Sequence, residues 1–397
     1  MALFFDFLTA PGRLRVAVAL LLAALIGAGA VAVPVAAQDF ETPAKQAFLV
    51  DYDTGTVLYE KDADVRFPPA SMAKLMTMAV VFKAIEEGRL SRDQEFKVSE
   101  HAWRTGGAVA GGSTMFAELN SSIRVEDLIR GAIVQAGNDS TIILAEGMAG
   151  SEDAFADLMN EEAAALGMDN SHFANPSGLP NPDHYVTARD MATLAIHLIR
   201  DFPDFYPIFS EEAFTWNKIF QRNRNPLLSL NIGADGLITG FTEGSGYSLT
   251  ASTVRDGQRL VAVVAGLGSV KEREAEARKL IEWGYRAFEP VRLFKEGEEI
   301  ARVRVFGGAS STVAVVSHEP VTLLLPVGMT DRLKAEVVYR GPLPAPVEAD
   351  KEVGYVSFTT AEGLKKQQPV YTAEPVGIGS MPQRALDGLQ ELLLGWW

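Results

Sequence analysis

Ser71 and Lys74 have side-chain types and a spacing that suit nucleophilic chemistry. They lie in the apolar segment FPPASMAKLMTMAVVF, residues 67–82. On a helix, residues three positions apart share one face with their Cβ atoms about 5–6 Å apart, so the hydroxyl and the amine can touch. The positive end of the helix macrodipole and the apolar neighbours both disfavour an ammonium, so Lys74 could accept the Ser71 proton as a neutral amine. The alternative is a surface lysine that reaches solvent from the first helical turn.

Two later segments could bring polar groups to the same place. In residues 128–150, a stretch rich in Ile and Leu is interrupted by GNDS at 137–140, which places polar side chains where a cleft could open. In residues 233–252, the sequence LITG is typical of an edge strand, and a glycine-rich turn follows it. Such an edge offers backbone N–H and C=O groups to an extended peptide. Each segment is also compatible with ordinary packing and turn chemistry.

The elements that must position these segments indicate an α+β domain. Two β-rich runs in residues 47–61 flank a DTG sequence, which is the turn chemistry of a hairpin. Helical patterns cover 71–87, 125–148, 152–166, 187–200 and 270–288, and strand patterns cover 247–254 and 259–267. Strands at both ends with helices between them predict one antiparallel sheet shared by the terminal segments. We expect this domain to span residues 38–290.

After Pro290 the pattern changes to short β-rich runs separated by Gly, Pro and charged turns. In IARVRVF, for example, arginines alternate with valines at period two. The runs predict a small all-β sandwich or barrel over residues 291–378.

Residues 379–397 have the pattern of an amphipathic C-terminal helix. Leu386, Leu389 and Leu393 share one helical face, and the chain ends in two tryptophans. A helix of about 16 residues is too short to span a bilayer. It can lie at the membrane interface, which would give a peripheral membrane contact through residues 380–397, or it can dock on its own domain.

The N-terminus has the features of an export signal. Arg13 and Arg15 precede an apolar run over residues 16–33, and PVAAQ follows with small residues at two positions before a cleavable bond. These features predict a signal peptide, residues 1–37. The apolar run is also long enough for an uncleaved anchor helix. In both cases we expect the rest of the chain to work outside the cytoplasm.

Composition excludes several classes of function. The net charge of −15 argues against nucleic-acid binding, which needs a basic surface. The chain has no cysteine, which excludes disulfides and thiol chemistry, and its five histidines show no metal-ligand spacing. We therefore expect no metal and no other cofactor.

Three short motifs occur in an order that resembles a known set. SMAK at 71–74, AGN at 136–138 and ITG at 238–240 resemble S-x-x-K, S-x-N and K-T-G of the penicillin-binding proteins and serine β-lactamases. The chain is similar to the D-alanyl-D-alanine carboxypeptidases, which are the low-molecular-mass penicillin-binding proteins. The similar segments are ASMAKLMT, LIRGAIVQAGND, HFANPSGLP, TARDMATLA, DGLITGFTEGSGY and REAEARKLIEWGY. The resemblance also extends over the β domain and the C-terminal helix.

The resemblance implies a fold and an activity. The fold would be a penicillin-binding or serine β-lactamase-like transpeptidase domain, with an antiparallel sheet and a helical cluster, followed by the all-β domain. The activity would be removal of the terminal D-alanine from peptidoglycan pentapeptide stems in the periplasm, through an acyl-enzyme on serine. β-Lactams would be acylating inhibitors.

Matching positions imply the site residues. Ser71 would be the nucleophile, Lys74 its base and Asn138 an amide that orients the substrate.

The same matching implies four substrate-binding residues: Thr239, Gly240, Phe241 and Arg273. Thr239 and Gly240 would line the strand edge, and Arg273 would hold the substrate carboxylate. The backbone N–H of Phe241 would form the oxyanion hole together with that of the nucleophile, Ser71.

Two positions depart from the family pattern. Ala136 stands where the motif serine relays protons, and Ile238 stands where the motif lysine complements the substrate carboxylate. Losing the relay costs about 10²–10⁴ in rate, and losing a buried charge partner costs about 2–5 kcal/mol. We therefore expect impaired carboxypeptidase activity unless water or a nearby cation such as Arg273 takes over these roles. The alternatives are a weak or inactive protein that binds peptide stems or penicillin and, ranked last, a serine β-lactamase.

Overall fold

The structure is a computed structural model that describes residues 40–327, 333–359 and 365–394. These residues form two compact units, of which the first ends at Arg286 and the second begins at Ala287. The predicted signal peptide, residues 1–37, lies outside the described residues, as do the terminal Trp396 and Trp397.

The first unit combines antiparallel strands with a group of helices. The strands are β1 (Gln46–Asp51), β2 (Val57–Lys61), β3 (Glu95–Lys97), β4 (Ser122–Arg124), β5 (Ala213–Trp216), β6 (Ile219–Arg222), β7 (Ala234–Thr242), β8 (Gly246–Arg255) and β9 (Gln258–Leu267). The helices are α1 (Lys74–Glu86), α2 (Glu100–Thr105), α3 (Val125–Val134), α4 (Asn138–Ala149), α5 (Glu152–Ala165), α6 (Ala188–Asp201) and α7 (Val270–Ala287).

The main sheet has the strand order β2-β1-β9-β8-β7 and is antiparallel throughout. Its middle strand, β9, pairs with β1 from Gln46–Ala265 to Asp51–Leu260. The β1–β2 turn is fixed by Asp51, which accepts hydrogen bonds from the backbone and the hydroxyl of Thr54. The predicted α+β class and the sheet shared by terminal segments are therefore confirmed, and β7 is an edge strand.

The predicted helix over 125–148 is two helices in the structure. α3 ends at Val134, α4 begins at Asn138, and between them Ala136 has a φ of 56°. A residue with a Cβ atom is strained in this left-handed region, and the conformation cannot continue a right-handed helix. Two small two-stranded sheets, β3–β4 and the β5–β6 hairpin, were not expected because strands of three or four residues carry little periodic signal.

Helix α1 is the centre of the helical core. Ten of its 13 residues are buried, including Met76, Met78 and Phe82. Full burial of such apolar side chains contributes about 1.5–3 kcal/mol each. The first nine residues of the helix, Lys74–Phe82, are all buried, so the surface-lysine alternative for Lys74 is wrong.

The second unit is a β domain followed by one helix. Its strands are β10 (Phe288–Phe294), β11 (Ala301–Phe306), β12 (Thr312–Val316), β13 (Val321–Pro326), β14 (Lys334–Tyr339), β15 (Leu343–Pro344), β16 (Glu352–Thr359) and β17 (Lys365–Thr372), and the helix is α8 (Met381–Leu394). β10 pairs with β13, and a six-stranded sheet has the order β14-β16-β17-β12-β11-β15. The inward-facing residues, such as Val303, Val356 and Phe358, form its core. The predicted all-β domain is confirmed.

Helix α8 contacts its own unit through Asp387, whose carboxylate accepts a hydrogen bond from the backbone of Gly307 at 2.9 Å. Leu389, on the predicted apolar face, is 56% exposed. The side chains of Leu386 and Leu393 lie outside the described part of the molecule. Within the described ranges, no helix has both the length and the apolar character needed to cross a membrane.

Candidate active site

The segment that carries Ser71 is held in a constrained turn. A 3₁₀ turn over Ala70–Ala73 leads into α1, and Ala70 has a φ of 51°. Two glycines let the surrounding backbone approach this turn closely. A Cβ atom on Gly178 would lie 1.8 Å from the Ala70 carbonyl oxygen, and one on Gly240 would lie 2.9 Å from that of Pro69. The loop around Gly178 and the edge strand β7 are therefore both packed against the Ser71 turn.

Lys74 is fully buried and makes three polar contacts. Its Nζ atom lies 3.0 Å from Ser71 Oγ, 2.8 Å from Asn138 Oδ1 and 2.5 Å from the carbonyl oxygen of Ser177. The carbonyl and amide oxygens can only accept. A neutral amine can donate to both of them and accept the Ser71 hydroxyl proton with its lone pair.

Burial sets the protonation of Lys74. It lowers the pKa of the amine to about 7, although the negative charge of Asp139 acts in the opposite direction. Near neutral pH a substantial fraction of Lys74 is therefore uncharged. The neutral amine lies within hydrogen-bonding distance of the Ser71 hydroxyl, at 3.0 Å.

Asn138 is the first residue of α4, and its position is fixed from both sides. Its backbone N–H donates to the Ser113 carbonyl at 2.8 Å, while its side-chain oxygen accepts from Lys74. The neighbouring Asp139 is fully buried and accepts from the backbone N–H groups of Met115 and Ala117. These bonds hold the 113–117 loop against α4.

The edge strand β7 supplies the opposite boundary of the site. Thr239, Gly240 and Phe241 line the same cleft as Ser71 and Asn138. Phe241 is 47% exposed and stacks on Tyr247, with ring centroids 4.2 Å apart.

Arg273 on α7 completes this side of the cleft. It is 94% buried, its guanidinium lies 5.8 Å from the Tyr247 ring centroid, and its Nε atom has no hydrogen-bond partner among the described residues. Burial lowers its pKa, although the arginine remains charged at neutral pH. A buried guanidinium of this kind suits an anionic ligand group. The cleft has a volume of about 1010 Å³.

The two departures from the family motifs are both buried and apolar. Ala136 is 3% exposed and lines the cleft beside Asn138. Ile238 is 2% exposed, belongs to the same apolar core as Ala136, and is absent from the cleft lining. An aliphatic chain at 238 thus packs inward and presents no charge to a ligand.

Sequence reasoning missed other polar residues around the cleft. Ser177 supplies its backbone carbonyl to Lys74, and His184 and Arg224 line the cavity. In the segment HFANPSGLP, Gly178 is the sequence signal for this loop, because a glycine at a close backbone approach marks a tightly packed loop.

Comparison with known proteins gives a family match for each of the two units. The family model described as D-alanyl-D-alanine carboxypeptidase matches residues 32–268, and the model described as Penicillin-binding protein 5, C-terminal domain, matches residues 288–377. Six of the seven implied site residues lie inside the first match, and Arg273 lies five residues beyond it.

Individual relatives agree with these matches. D-alanyl-D-alanine carboxypeptidase DacA of Escherichia coli strain K12 is 38% identical over 359 residues, which cover 89% of each chain. DacC of the same organism is 38% identical over 91% of this chain and 92% of its own.

Solved structures agree as well. Penicillin-binding protein 5 from Haemophilus influenzae has a TM-score of 0.76 at 36% identity and covers 85% of this chain and 98% of its own. Penicillin-binding protein D2 from Listeria monocytogenes, in an ampicillin-bound form, has a TM-score of 0.55 at 28% identity, covering 62% of this chain and 99% of its own. With the fold, the Ser71 cluster and these matches in agreement, the chain belongs to the D-alanyl-D-alanine carboxypeptidase family.

Proposed function

We propose that this protein is a serine-type D-Ala-D-Ala carboxypeptidase that trims peptidoglycan pentapeptide stems through an acyl-enzyme on Ser71. The observation that carries the proposal is the fully buried Lys74, with its Nζ atom 3.0 Å from Ser71 Oγ and a pKa lowered to about 7. A lysine that is neutral near physiological pH can act as a general base for a hydroxyl.

In the acylation step, Lys74 takes the Ser71 proton as Oγ attacks the carbonyl carbon of the penultimate D-alanine. The C–N bond breaks, and the amine of the terminal D-alanine leaves with that proton. The backbone N–H groups of Ser71 and Phe241 would stabilise the oxyanion, a contribution of about 2.7–4 kcal/mol per donor in related chemistry.

Substrate placement follows from the two boundaries of the cleft. The side-chain oxygen of Asn138 accepts from Lys74, which leaves its NH₂ group to orient a peptide carbonyl. Thr239 and Gly240 offer a strand edge to an extended stem. Arg273 pairs with the terminal carboxylate in place of the missing lysine.

We expect this activity to be impaired. Ala136 has no hydroxyl to relay protons, and Ile238 has no charge for the substrate carboxylate. Both residues would act in the same catalytic unit, so the rate loss from the two together is smaller than the product of the two separate losses.

A second candidate follows from the same two residues: a protein that binds or is acylated by stems and β-lactams with little turnover. A serine β-lactamase ranks last because the chain carries an additional β domain that matches penicillin-binding protein 5. We place the protein in the periplasm, with residues 380–397 as a peripheral membrane contact, on the strength of the predicted signal peptide and the amphipathic α8.

The test combines a fluorescent penicillin with a D-alanine release assay on a pentapeptide stem. We expect covalent labelling that Ser71→Ala abolishes, together with slow release of D-alanine. Labelling without measurable release would favour the second candidate. Absence of labelling, or labelling that survives in Ser71→Ala, would contradict the proposed nucleophile.

A further inference from the structure

Two apolar side chains on the Arg273 side of the cleft are half exposed to solvent. Phe241 is 47% exposed, Val270 is 48% exposed, and both line the same cavity as Arg273. We refer to Phe241 and Val270 as the rim residues. The acylation step would use the backbone N–H of Phe241, but it uses neither of these side chains. Apolar surface inside a cleft loses its contact with water when a ligand places an apolar group against it.

The sheet and α7 bring the rim residues close to Arg273. Phe241 on β7 is the cross-strand partner of Tyr247 on β8, and their rings stack at a centroid distance of 4.2 Å. The Arg273 guanidinium lies 5.8 Å from the Tyr247 ring centroid. Val270 precedes Arg273 by three positions on α7, so their side chains share one face of that helix. Phe241 is therefore connected to the guanidinium through Tyr247, and Val270 is next to it along α7.

This part of the cleft combines a buried cation with apolar surface nearer to solvent. Arg273 is 6% exposed, and its Nε atom has no hydrogen-bond partner among the described residues. A ligand that fits both features carries an anionic group and an apolar substituent close together. The terminal residue of a peptide has this chemistry, because its α-carbon bears both the carboxylate and the side chain. In the proposed reaction this residue is the leaving D-amino acid.

D-Alanine would use little of the rim surface, because its side chain is a single methyl group. A methylene group that becomes fully buried improves binding about fourfold. D-Leucine has three more carbon atoms than D-alanine. Because the rim residues are at the mouth of the cleft, these atoms would be only partly buried, and we expect a gain of about tenfold.

We propose that the subsite for the leaving residue favours stems that end in a D-amino acid with a larger apolar side chain, such as D-leucine, over stems that end in D-alanine. The proposal rests on the proposed carboxypeptidase function and narrows its substrate class. Phe241 and Val270 would contact the side chain of the leaving residue, while Arg273 pairs with its carboxylate. Acylation balances as it does for D-alanine: Ser71 Oγ bonds to the carbonyl carbon, the C–N bond breaks, and D-leucine leaves with the proton on its amine.

The experiment compares three synthetic pentapeptide stems that differ only in the terminal residue, which is D-alanine, D-leucine or D-asparagine. D-Asparagine is close to D-leucine in size but has a polar amide. Each stem competes with fluorescent penicillin for Ser71, and we measure the stem concentration that halves the labelling rate, together with release of the terminal amino acid. All three stems form the same acyl-enzyme, so a difference between them reports on the leaving residue. Competition also reports on binding by a protein with little turnover.

In the parent protein, the D-leucine stem should compete about tenfold better than the D-alanine stem, and the D-asparagine stem should compete no better than the D-alanine stem. Phe241→Ala should reduce the preference for D-leucine to about twofold, and Val270→Ala should reduce it to about fivefold, because each change removes apolar contact. Phe241→Leu, which keeps an apolar side chain, should retain most of the preference. The preference is a ratio within one variant, so a smaller folded fraction does not alter it.

Phe220→Ala is the matched control. Phe220 is 62% exposed on β6 and is absent from the cleft lining, so this variant loses the same aromatic ring outside the site. It should keep the preference of the parent protein for the D-leucine stem.

The outcomes separate the two proposals. If the parent protein is not labelled at Ser71, or if no stem competes, the proposed function and this inference both fail. If stems compete but none is cleaved, the proposed function fails, and the competition still decides the inference. If the D-leucine stem competes no better than the D-alanine stem, the inference alone is overturned. Equal competition by the D-leucine and D-asparagine stems, or a preference that survives in both Phe241→Ala and Val270→Ala, would also overturn it.

Discussion

Two groups of residues at the site are equally buried but opposite in polarity. In the first, the fully buried Lys74 Nζ is surrounded by three oxygen atoms within 3.0 Å. In the second, Ala136 and Ile238 are 3% and 2% exposed and carry no polar side-chain atom. We refer to these two groups as the Lys74 side and the apolar side of the site.

The difference separates what the fold requires from what the reaction requires. Burying a lysine is unfavourable unless its polar contacts are made, so the Lys74 side can persist only with Asn138 and Ser177 in place. When both partners of a buried polar pair become apolar together, the change can be nearly neutral for stability. The apolar side can therefore exist in a stable fold although neither Ala136 nor Ile238 has a side chain that can transfer a proton or carry a charge.

The largest expected effect is on the Lys74 side. Lys74→Met should reduce acylation by penicillin about 10²–10⁴-fold, because no other base among the described residues contacts Ser71 Oγ. The measurement is the rate of covalent labelling. Lys83→Met, nine residues later on α1 with a side chain 43% exposed, is the control and should label normally. Equal labelling of the Lys74 variant and the parent would mean that the two sides do not differ in function.

Restoring the family residues tests the apolar side. Ile238→Lys alone should destabilise the fold by about 3–5 kcal/mol, because it buries a charge without a partner. Ala136→Ser together with Ile238→Lys should recover part of that loss. In the folded protein, Ile238→Lys should chiefly increase acylation, and Ala136→Ser should also speed release of the acyl group.

The double variant should raise turnover by about 30-fold to several thousand-fold. Because both residues would serve one unit, this gain should exceed the product of the single gains. Urea unfolding and D-alanine release are the measurements. Parent turnover already at about 1–10³ s⁻¹, with no gain from either reversion, would show that other residues have taken over both roles.

The pH dependence of acylation reports on the environment of Lys74. Since burial lowers its pKa to about 7, the active neutral amine is populated above that pH. Labelling should therefore fall about tenfold per pH unit below 7 and be constant above it. Asp139→Asn should move the midpoint downward, because the Asp139 charge raises the Lys74 pKa. A midpoint near the ordinary lysine value would contradict a buried, desolvated amine.

The smallest effect concerns charge outside the cleft. His197 Nδ1 lies 2.5 Å from Asp201, and its Nε2 lies 3.4 Å from Glu162. Although burial opposes the charged form, these carboxylates raise the pKa of His197. A raised pKa contributes stability below the unfolded value of about 6.5, and that stability is lost as pH rises through the folded pKa.

His197→Phe should therefore be less stable than the parent by at most about 1 kcal/mol at pH 5.5. The difference should shrink toward pH 8.5, and acylation should not change. Thermal unfolding across this range measures it. A stability difference between His197→Phe and the parent that grows with pH would contradict a raised pKa of His197.

Much of the architecture could be predicted from the sequence because it depends on local patterns. Periodicity and glycine positions indicated the main helices and the shared sheet, and the apolar neighbours of Lys74 indicated its low pKa. The contacts of Ser177 and His184 could not be predicted in this way. Ser177 meets Lys74 across 103 residues of chain, and nothing local indicates that its carbonyl is the partner.

The apolar side shows a second limit of sequence reasoning. Motif spacing placed Ile238 at a substrate-contacting position, whereas the structure packs its side chain into the core. An aliphatic residue at the lysine position of the K-T-G motif takes the direction that removes it from water.

The position of β9 in the sheet has a consequence for the order of folding. β9 lies between β1 and β8, so the hairpin β1–β2 and the hairpin β7–β8 share no backbone hydrogen bonds until it is added. It is also the last of the five strands in the chain. A chain growing from its N-terminus can thus form two separate hairpins but no continuous sheet until residue 267 is available. Such non-local closure slows folding, and penicillin labelling of growing chains would record the moment at which the sheet closes.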